Sequence, residues 1–319
     1  MSADQPIVVI LGPTAGGKSD VAVAVAEALG GQIIGADSMQ VYRHLNAGTA
    51  KPTPAQRAAV PHHMIDHVEP TETWTVAQWL EAAESLIEQM HQQNRMPVVV
   101  GGTHLYMQAL LVGLFDGPGI DPAFRQSLAS DEPARLHHRL REVDPDAADR
   151  IHPNDRKRIV RALEVHHLSG RPISQWQQQW DPASGKQHPY RHHPILIGLR
   201  WSAEAINRRI NARVKTMFHP PDSTEDLISE TRRLEAAGLL GNQARQALGT
   251  KQALEHLAGR LSADEAMEKV KIETRRFAKS QRTWLKRFRG VRWIEAEKMD
   301  GPERALEAVE IARNHRPSG

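Results

Sequence analysis

The chain has 319 residues, 40% of them apolar and 25% charged, with no cysteine, a net charge of +3 and an isoelectric point near 9.2. A chain of this size buries a substantial core, as one large domain plus a smaller one, and the missing thiols exclude disulfides, thiolate zinc sites and a cysteine nucleophile. No apolar run approaches the roughly 18 residues of a membrane span, and no apolar leader segment follows Asp4, so the expected setting is cytoplasmic, without a membrane partner.

The apolar run Ile7 to Leu11 reads as a buried strand. It is followed by Gly12-Pro13-Thr14-Ala15-Gly16-Gly17-Lys18-Ser19, and then by Val21, Ala22, Val25, Ala26 and Leu29 at helical spacing. Strand, loop and helix with the spacing G-x-x-x-x-G-K-[ST] make a phosphate-binding loop. Its glycines let backbone N–H groups curl round phosphate oxygens, and the helix N-terminus adds partial positive charge. Lys18 is expected to neutralise an outer phosphate and the Ser19 hydroxyl to hold Mg²⁺. Gln32 to Gly35 reads as a second strand, ending at Ala36-Asp37-Ser38-Met39-Gln40. Strand ends of parallel sheets face the ligand crevice, which sets Asp37 beside the phosphate loop. A carboxylate there holds a metal or acts as a base; the competing role is a helix cap, and the position favours the first. A polar stretch with few helical signals fills 41–52, and Pro61 to Asp66 looks extended.

From Thr75 to Gln93, Val76, Trp79, Leu80, Ala83, Leu86, Ile87 and Met90 repeat at helical spacing, and Pro97 to Val100 makes a buried strand ending in Gly101-Gly102-Thr103. ATP-hydrolysing enzymes usually place an Asp at such a strand end to organise Mg²⁺ and water; glycines and Thr103 weaken an ATPase reading. Residues 116–190 are rich in Pro, Asp, His and Arg, with helical pieces near 122–129, 134–143 and 155–168 and no β-branched run. They read as a helical insertion between the hinges Gly117-Pro118-Gly119 and Pro182 to Gly185. The core resumes with a strand at Pro194 to Leu199. Helices at 208–217, 223–237, 242–257 and 262–287 follow, then a strand at 291–294 and a closing helix from Pro302. The expected fold is α/β, a P-loop NTPase-like parallel sheet wrapped by helices with a smaller all-helical insertion domain. Residues 1–115 supply the first part of the core, 116–190 the insertion, and 191–319 the completion with its basic helices.

Between Lys269 and Arg292 there are ten Lys and Arg, against Glu268 just before and Glu273 inside. Val270, Phe277, Trp284 and Phe288 form an expected apolar stripe, and Lys271, Arg275, Lys279, Arg282, Lys286 and Arg289 a basic ridge that suits a nucleic-acid backbone. Asn154-Asp155 caps a second basic helix, in which Lys157 and Arg161 share a face, either for phosphates or for water, while Ile159 and Val160 can pack inward. The paired histidines (62–63, 137–138, 166–167, 192–193) diverge rather than converge, against a histidine metal site. A kinase using ATP on the same loop and a non-catalytic RNA binder are the rival readings.

Together these segments resemble the tRNA dimethylallyltransferases (tRNA isopentenyltransferases), of bacterial type. The resemblance rests on G-P-T-A-G-G-K-S at 12–19, A-D-S-M-Q-V-Y-R at 36–43, G-T-A-K-P-T at 48–53 and P-H-H-M-I-D at 61–66. It continues through V-G-G-T-H-L-Y at 100–106, I-H-P-N-D at 151–155, R-I-V-R-A-L-E-V at 158–165, R-I-N-A-R-V at 209–214 and T-R-R-F-A-K-S-Q-R-T-W at 274–284. It implies transfer of a dimethylallyl group from dimethylallyl diphosphate to the exocyclic amine of the adenine 3′ of the anticodon. The loop would then hold an organic diphosphate rather than ATP. Asp37 matches the family's catalytic Asp, Thr103 the threonine that helps position the amine, and Lys18, Arg213 and Mg²⁺ on Ser19 the groups around the leaving diphosphate. Asp37, Ser38, Met39, Gln40, Thr103, Arg125 and Lys157, Arg158, Ile159, Val160 and Arg161 match tRNA contacts; Arg245 to Thr250 and Arg275, Lys279 and Arg282 do so less closely. A monomer is expected. The chain departs from it at His44, where Gly is common, at Thr250, and over Phe218 to Asp222, which leaves local loop shape open.

Overall fold

The computed structural model describes residues 5–115, 117–177, 190–222 and 224–314. They form two compact units, Met1–Leu111 with Tyr190–Gly319, and Val112–Pro189.

The first unit is built on one six-stranded sheet of β1 (Val8–Leu11), β2 (Gln32–Gly35), β3 (His62–His63), β4 (Pro97–Val100), β5 (Ile195–Arg200) and β6 (Arg292–Glu295). All pairs are parallel, in the order β3-β2-β4-β1-β5-β6, with Val8 opposite both Val98 and Ile195. Val8, Val9, Ile10, Ile33, Ile34, Val98 and Val99 are all fully buried, as strands covered on both faces require. Parallel pairing brings the carboxyl ends of β1, β2 and β4 to one edge, and the loops at 12–19, 36–40 and 101–103 all leave from it.

The helices follow their stripes and caps. Helix Val76–Gln92 starts in a Thr75–Gln78 capping box and buries Trp79, Ala83, Ile87 and Met90. Trp79 donates its indole N–H to Gly35 O at 2.9 Å and stacks on Tyr106 at 4.5 Å, so its burial, worth of order 3 kcal/mol, also fixes the end of β2. Helices Ala203–Phe218 and Ala263–Leu285 begin on Ser202 and Ser262 caps and pack beside each other.

Several expectations are corrected. The seam of the long helix Ala263–Leu285 is Ala266, Val270, Thr274, Ala278, Gln281 and Leu285, on a helix that packs beside helices Ala203–Phe218 and Thr250–Leu257. Phe277, expected inside, is 42% exposed. That helix ends at Leu285, so Lys286 and Arg289 lie beyond it. Lys271 is paired with Glu268 at 2.6 Å and leaves the ridge. The helix expected over 242–257 is divided at Gly249, whose φ of +104° no helix tolerates, into the turn Ala244–Gln246 and helix Thr250–Leu257. Helices Pro54–Ala59 and His104–Val112 were not expected; the latter is apolar on nearly every side and shows no amphipathic period.

The second unit contains helices Pro122–Ser127, Pro133–Val143, Pro145–Arg150, Arg156–Ser169 and Ile173–Trp176, and no strand among the described residues. Three of these open on proline at the first turn, where its missing N–H costs nothing. Leu136, Leu140, Ile159, Ala162 and Val165 are fully buried. The expected hinge at Pro182 to Gly185 lies outside the described residues.

Candidate active site

The three loops at the strand ends enclose a cavity of about 430 Å³, walled by the phosphate loop, Asp37, Arg213, Phe277 and Gln281, with Ile33, Ile65 and Val100 as apolar lining. Gly17 caps helix Lys18–Ala28 with φ +84°, and Ala15 is also left-handed at φ +59°. A Cβ on Gly101 would sit 2.0 Å from Ala36 O, so only glycine lets the 36–40 and 101–103 loops touch.

Lys18 donates from Nζ to Pro13 O at 2.9 Å. Burial pulls its ammonium down to about 8, opposed by the charge of Asp37 and reinforced by Arg213. Arg213 donates to Thr14 Oγ1 at 3.0 Å, and its buried Nε has no partner. Burial lowers its guanidinium too, with Asp37 again opposing. Two cations thus share a desolvated pocket, with Asp37 nearby. The Ser19 hydroxyl faces the same cavity and has no hydrogen-bond partner among the described residues.

Asp37 Oδ1 accepts from Met39 N at 2.9 Å and Gln40 N at 3.3 Å, closing a turn rather than capping a helix. Its Oδ2 has no hydrogen-bond partner among the described residues, and Asp37 borders the cavity. Thr103 Oγ1 accepts from Ser38 N at 2.9 Å and lies 3.3 Å from Ser38 Oγ, which binds the end of β4 to the Asp37 turn. Gln40 donates to Thr49 O and Ala50 O and anchors the following loop. His62 and His63 bond to Val60 O and Gln32 Oε1, and burial lowers both.

Three supports were not anticipated. Gln281 reaches the phosphate loop from the long helix, accepting from Thr14 N at 2.7 Å. Trp201 donates to Gly16 O at 3.1 Å beneath the guanidinium of Arg209, 4.8 Å from its ring. Arg209 also donates to Ala15 O at 2.7 Å. The one available signal was a polar residue breaking the small-residue seam at 281.

On the long helix, Arg275, Lys279 and Arg282 form no ion pair among the described residues, and Lys279 is exposed. In the second unit, Lys157 is exposed and Arg158 pairs loosely with Asp155 at 3.4 Å. Ile159 is fully buried, so its side chain faces core rather than solvent, while Val160 is partly covered. Arg125 and Arg161 both clamp Glu164, itself fully buried, at 2.7 and 2.6 Å. Arg161 also donates to Gly119 O and Pro118 O. The two arginines, opposing the effect of burial, hold Glu164 near 2.

A family model described as IPP transferase matches residues 40–288. The chain belongs to the IPP transferase family. The tRNA dimethylallyltransferase of Syntrophobacter fumaroxidans is 44% identical to this transferase over 305 residues, 93% of this chain and 86% of that protein. That of Pelotomaculum thermopropionicum is 42% identical, over 97% of this chain and 96% of its own. Among solved structures, the tRNA isopentenylpyrophosphate transferase of Bacillus halodurans is 33% identical, with a TM-score of 0.71 over 97% of this chain and 96% of that one. No described helix of this transferase is long and apolar enough to cross a membrane.

Proposed function

We propose that the chain transfers a dimethylallyl group from dimethylallyl diphosphate to the exocyclic amine of the adenine 3′-adjacent to the anticodon of a tRNA, releasing diphosphate. One observation carries the reading. The same cavity holds two desolvated cations, a carboxylate oxygen without a partner, and an apolar wall. Lys18, Arg213 and the loop N–H groups would bind the diphosphate, while Ile33, Ile65 and Val100 would receive the five-carbon chain.

The adenine amine is a weak nucleophile because its lone pair is delocalised into the ring. As its nitrogen bonds to the first carbon of the dimethylallyl group, the carbon–oxygen bond breaks and diphosphate leaves with the electron pair. Asp37 Oδ2 takes the amine proton, a role worth about 10²–10⁴ in rate. Lys18 and Arg213 stabilise charge growing on the leaving oxygen, an effect that is large in a dry site. Because Thr103 Oγ1 is engaged with Ser38, it acts here on the turn that aims Asp37. The base must leave the anticodon stack to reach the cavity, and the unpaired cations Lys157, Arg275, Lys279 and Arg282 suit phosphate contacts.

Mg²⁺ fits this donor set. Among the described residues no three acidic or histidine side chains group to hold a metal. The protein would offer mainly the free Ser19 hydroxyl, and diphosphate and water the rest, the pattern Mg²⁺ favours. Bound so, it would neutralise charge on the diphosphate.

The test is transfer from labelled dimethylallyl diphosphate to unmodified tRNA with Mg²⁺, followed by nucleoside analysis. Asp37→Asn keeps an oxygen for the Met39 and Gln40 amides but no base. It should lower turnover about 10²–10⁴-fold with tRNA affinity within severalfold. Near-normal turnover in that variant would discard the assigned base, and consumption of ATP without prenyl transfer would favour a kinase.

A further inference from the structure

Gln281 is 1% exposed, and both ends of its carboxamide are used. Oε1 accepts from the backbone N–H of Thr14 at 2.7 Å, and Nε2 donates to Gly102 O at 3.0 Å. The first partner belongs to the phosphate loop, and its side chain carries Arg213 at 3.0 Å. The second lies next to Thr103, which holds the Asp37 turn through Ser38. A Cβ on Gly102 would lie 2.5 Å from Gln281 Nε2, so the glycine is what admits the carboxamide. One planar group therefore spans the leaving-group side and the proton-accepting side of the cavity.

We propose that Gln281 is a positioning residue, which fixes the distance between the diphosphate cradle and the Thr103–Asp37 turn, and so the line of attack. This rests on the transfer reading above. A carboxamide suits the position because it offers a donor and an acceptor a fixed distance apart. An ammonium or guanidinium cannot accept from Thr14 N, and a carboxylate cannot donate to Gly102 O. Displacing reacting groups by about 1 Å costs on the order of 10²-fold in rate, so a misplaced cradle should show in kcat before it shows in tRNA binding.

The experiment compares the full-length wild type with Q281E and Q281M in the labelled-transfer assay between pH 5.5 and 8, with thermal melting of each. Q281E keeps the acceptor for Thr14 N but turns carboxylate oxygen toward Gly102 O; protonating the introduced carboxyl restores a donor. Its kcat should fall about 10²-fold at pH 8, with tRNA affinity unchanged, and the deficit relative to wild type should narrow as pH falls. Q281M should show a pH-independent deficit in kcat. A purely structural role gives variants that melt early with kcat restored on cooling. Wild-type kcat in a stably folded Q281E at pH 8, or a deficit that does not respond to pH, would overturn the assignment. A wild-type chain inert toward dimethylallyl diphosphate overturns the transfer reading, and this one with it.

Discussion

Lys18 gives the most direct physical test of the cradle. Its ammonium is held at about 8 in the free protein because it is buried with Arg213 nearby and only Asp37 opposing. A bound diphosphate adds negative charge at contact distance and pushes that value well above 8. The sign follows. Below pH 8 the lysine is already charged and binding needs no proton; above pH 8 binding must first recharge it. With a free-state value near 8, roughly 90% of Lys18 is charged at pH 7 and roughly 10% at pH 9. Binding of dimethylallyl diphosphate without tRNA should therefore take up about 0.1 proton at pH 7 and about 0.9 at pH 9, and the affinity should fall about tenfold between pH 7 and 9, most of it in the second unit. Calorimetry in buffers of different ionisation enthalpy counts these protons. In Lys18→Arg the guanidinium stays charged throughout, so the uptake near pH 9 should vanish even if affinity drops. Equal proton uptake by the wild type and Lys18→Arg at pH 9 would refute the argument.

Two further outcomes concern stability. Glu164→Gln removes the charge that Arg125 and Arg161 clamp; its displacement from the ordinary 4.5 to about 2 corresponds to about 3 kcal/mol, present above pH 4.5 and lost as pH falls toward 2. Urea unfolding should show the variant less stable by about that amount at pH 7 and the gap closing near pH 3; an equal gap at both would locate the stabilisation elsewhere. Gly101→Ala puts a methyl 2.0 Å from Ala36 O, a main-chain atom that cannot swing away, and should cost more than about 3 kcal/mol, whereas Gly119→Ala, with nothing within 4 Å, should melt like wild type.

Strands were legible wherever both faces are covered, because runs such as Ile7 to Leu11 leave no other reading once a glycine loop follows. The phosphate loop, Asp37 and Thr103 were legible for the same reason: in a parallel sheet, chain order alone puts residues after β1, β2 and β4 at one edge. Packing of the long helix was not legible. Its apolar residues Val270, Phe277, Trp284 and Phe288 promised a seam, yet Ala266, Thr274, Ala278 and Gln281 turn inward beside Val270 and Leu285, and Phe277 is left on the cavity rim. Hydrophobicity ranks residues by their gain on burial, not by the room available, and here room decided. The departure at His44 has a similar origin. Its φ of +64° shows the backbone still takes the left-handed bend for which Gly is common, at a cost of order 1 kcal/mol.

The helix that carries the basic residues also touches the candidate site. Gln281 lies in the buried seam of this helix and from there reaches both Thr14 N and Gly102 O. The unpaired cations Arg275 and Lys279 are carried on that same helix, within two turns of Gln281. Ala266, Thr274 and Ala278 share that buried face with Gln281, and enlarging one of them should disturb the cradle before it disturbs the sheet.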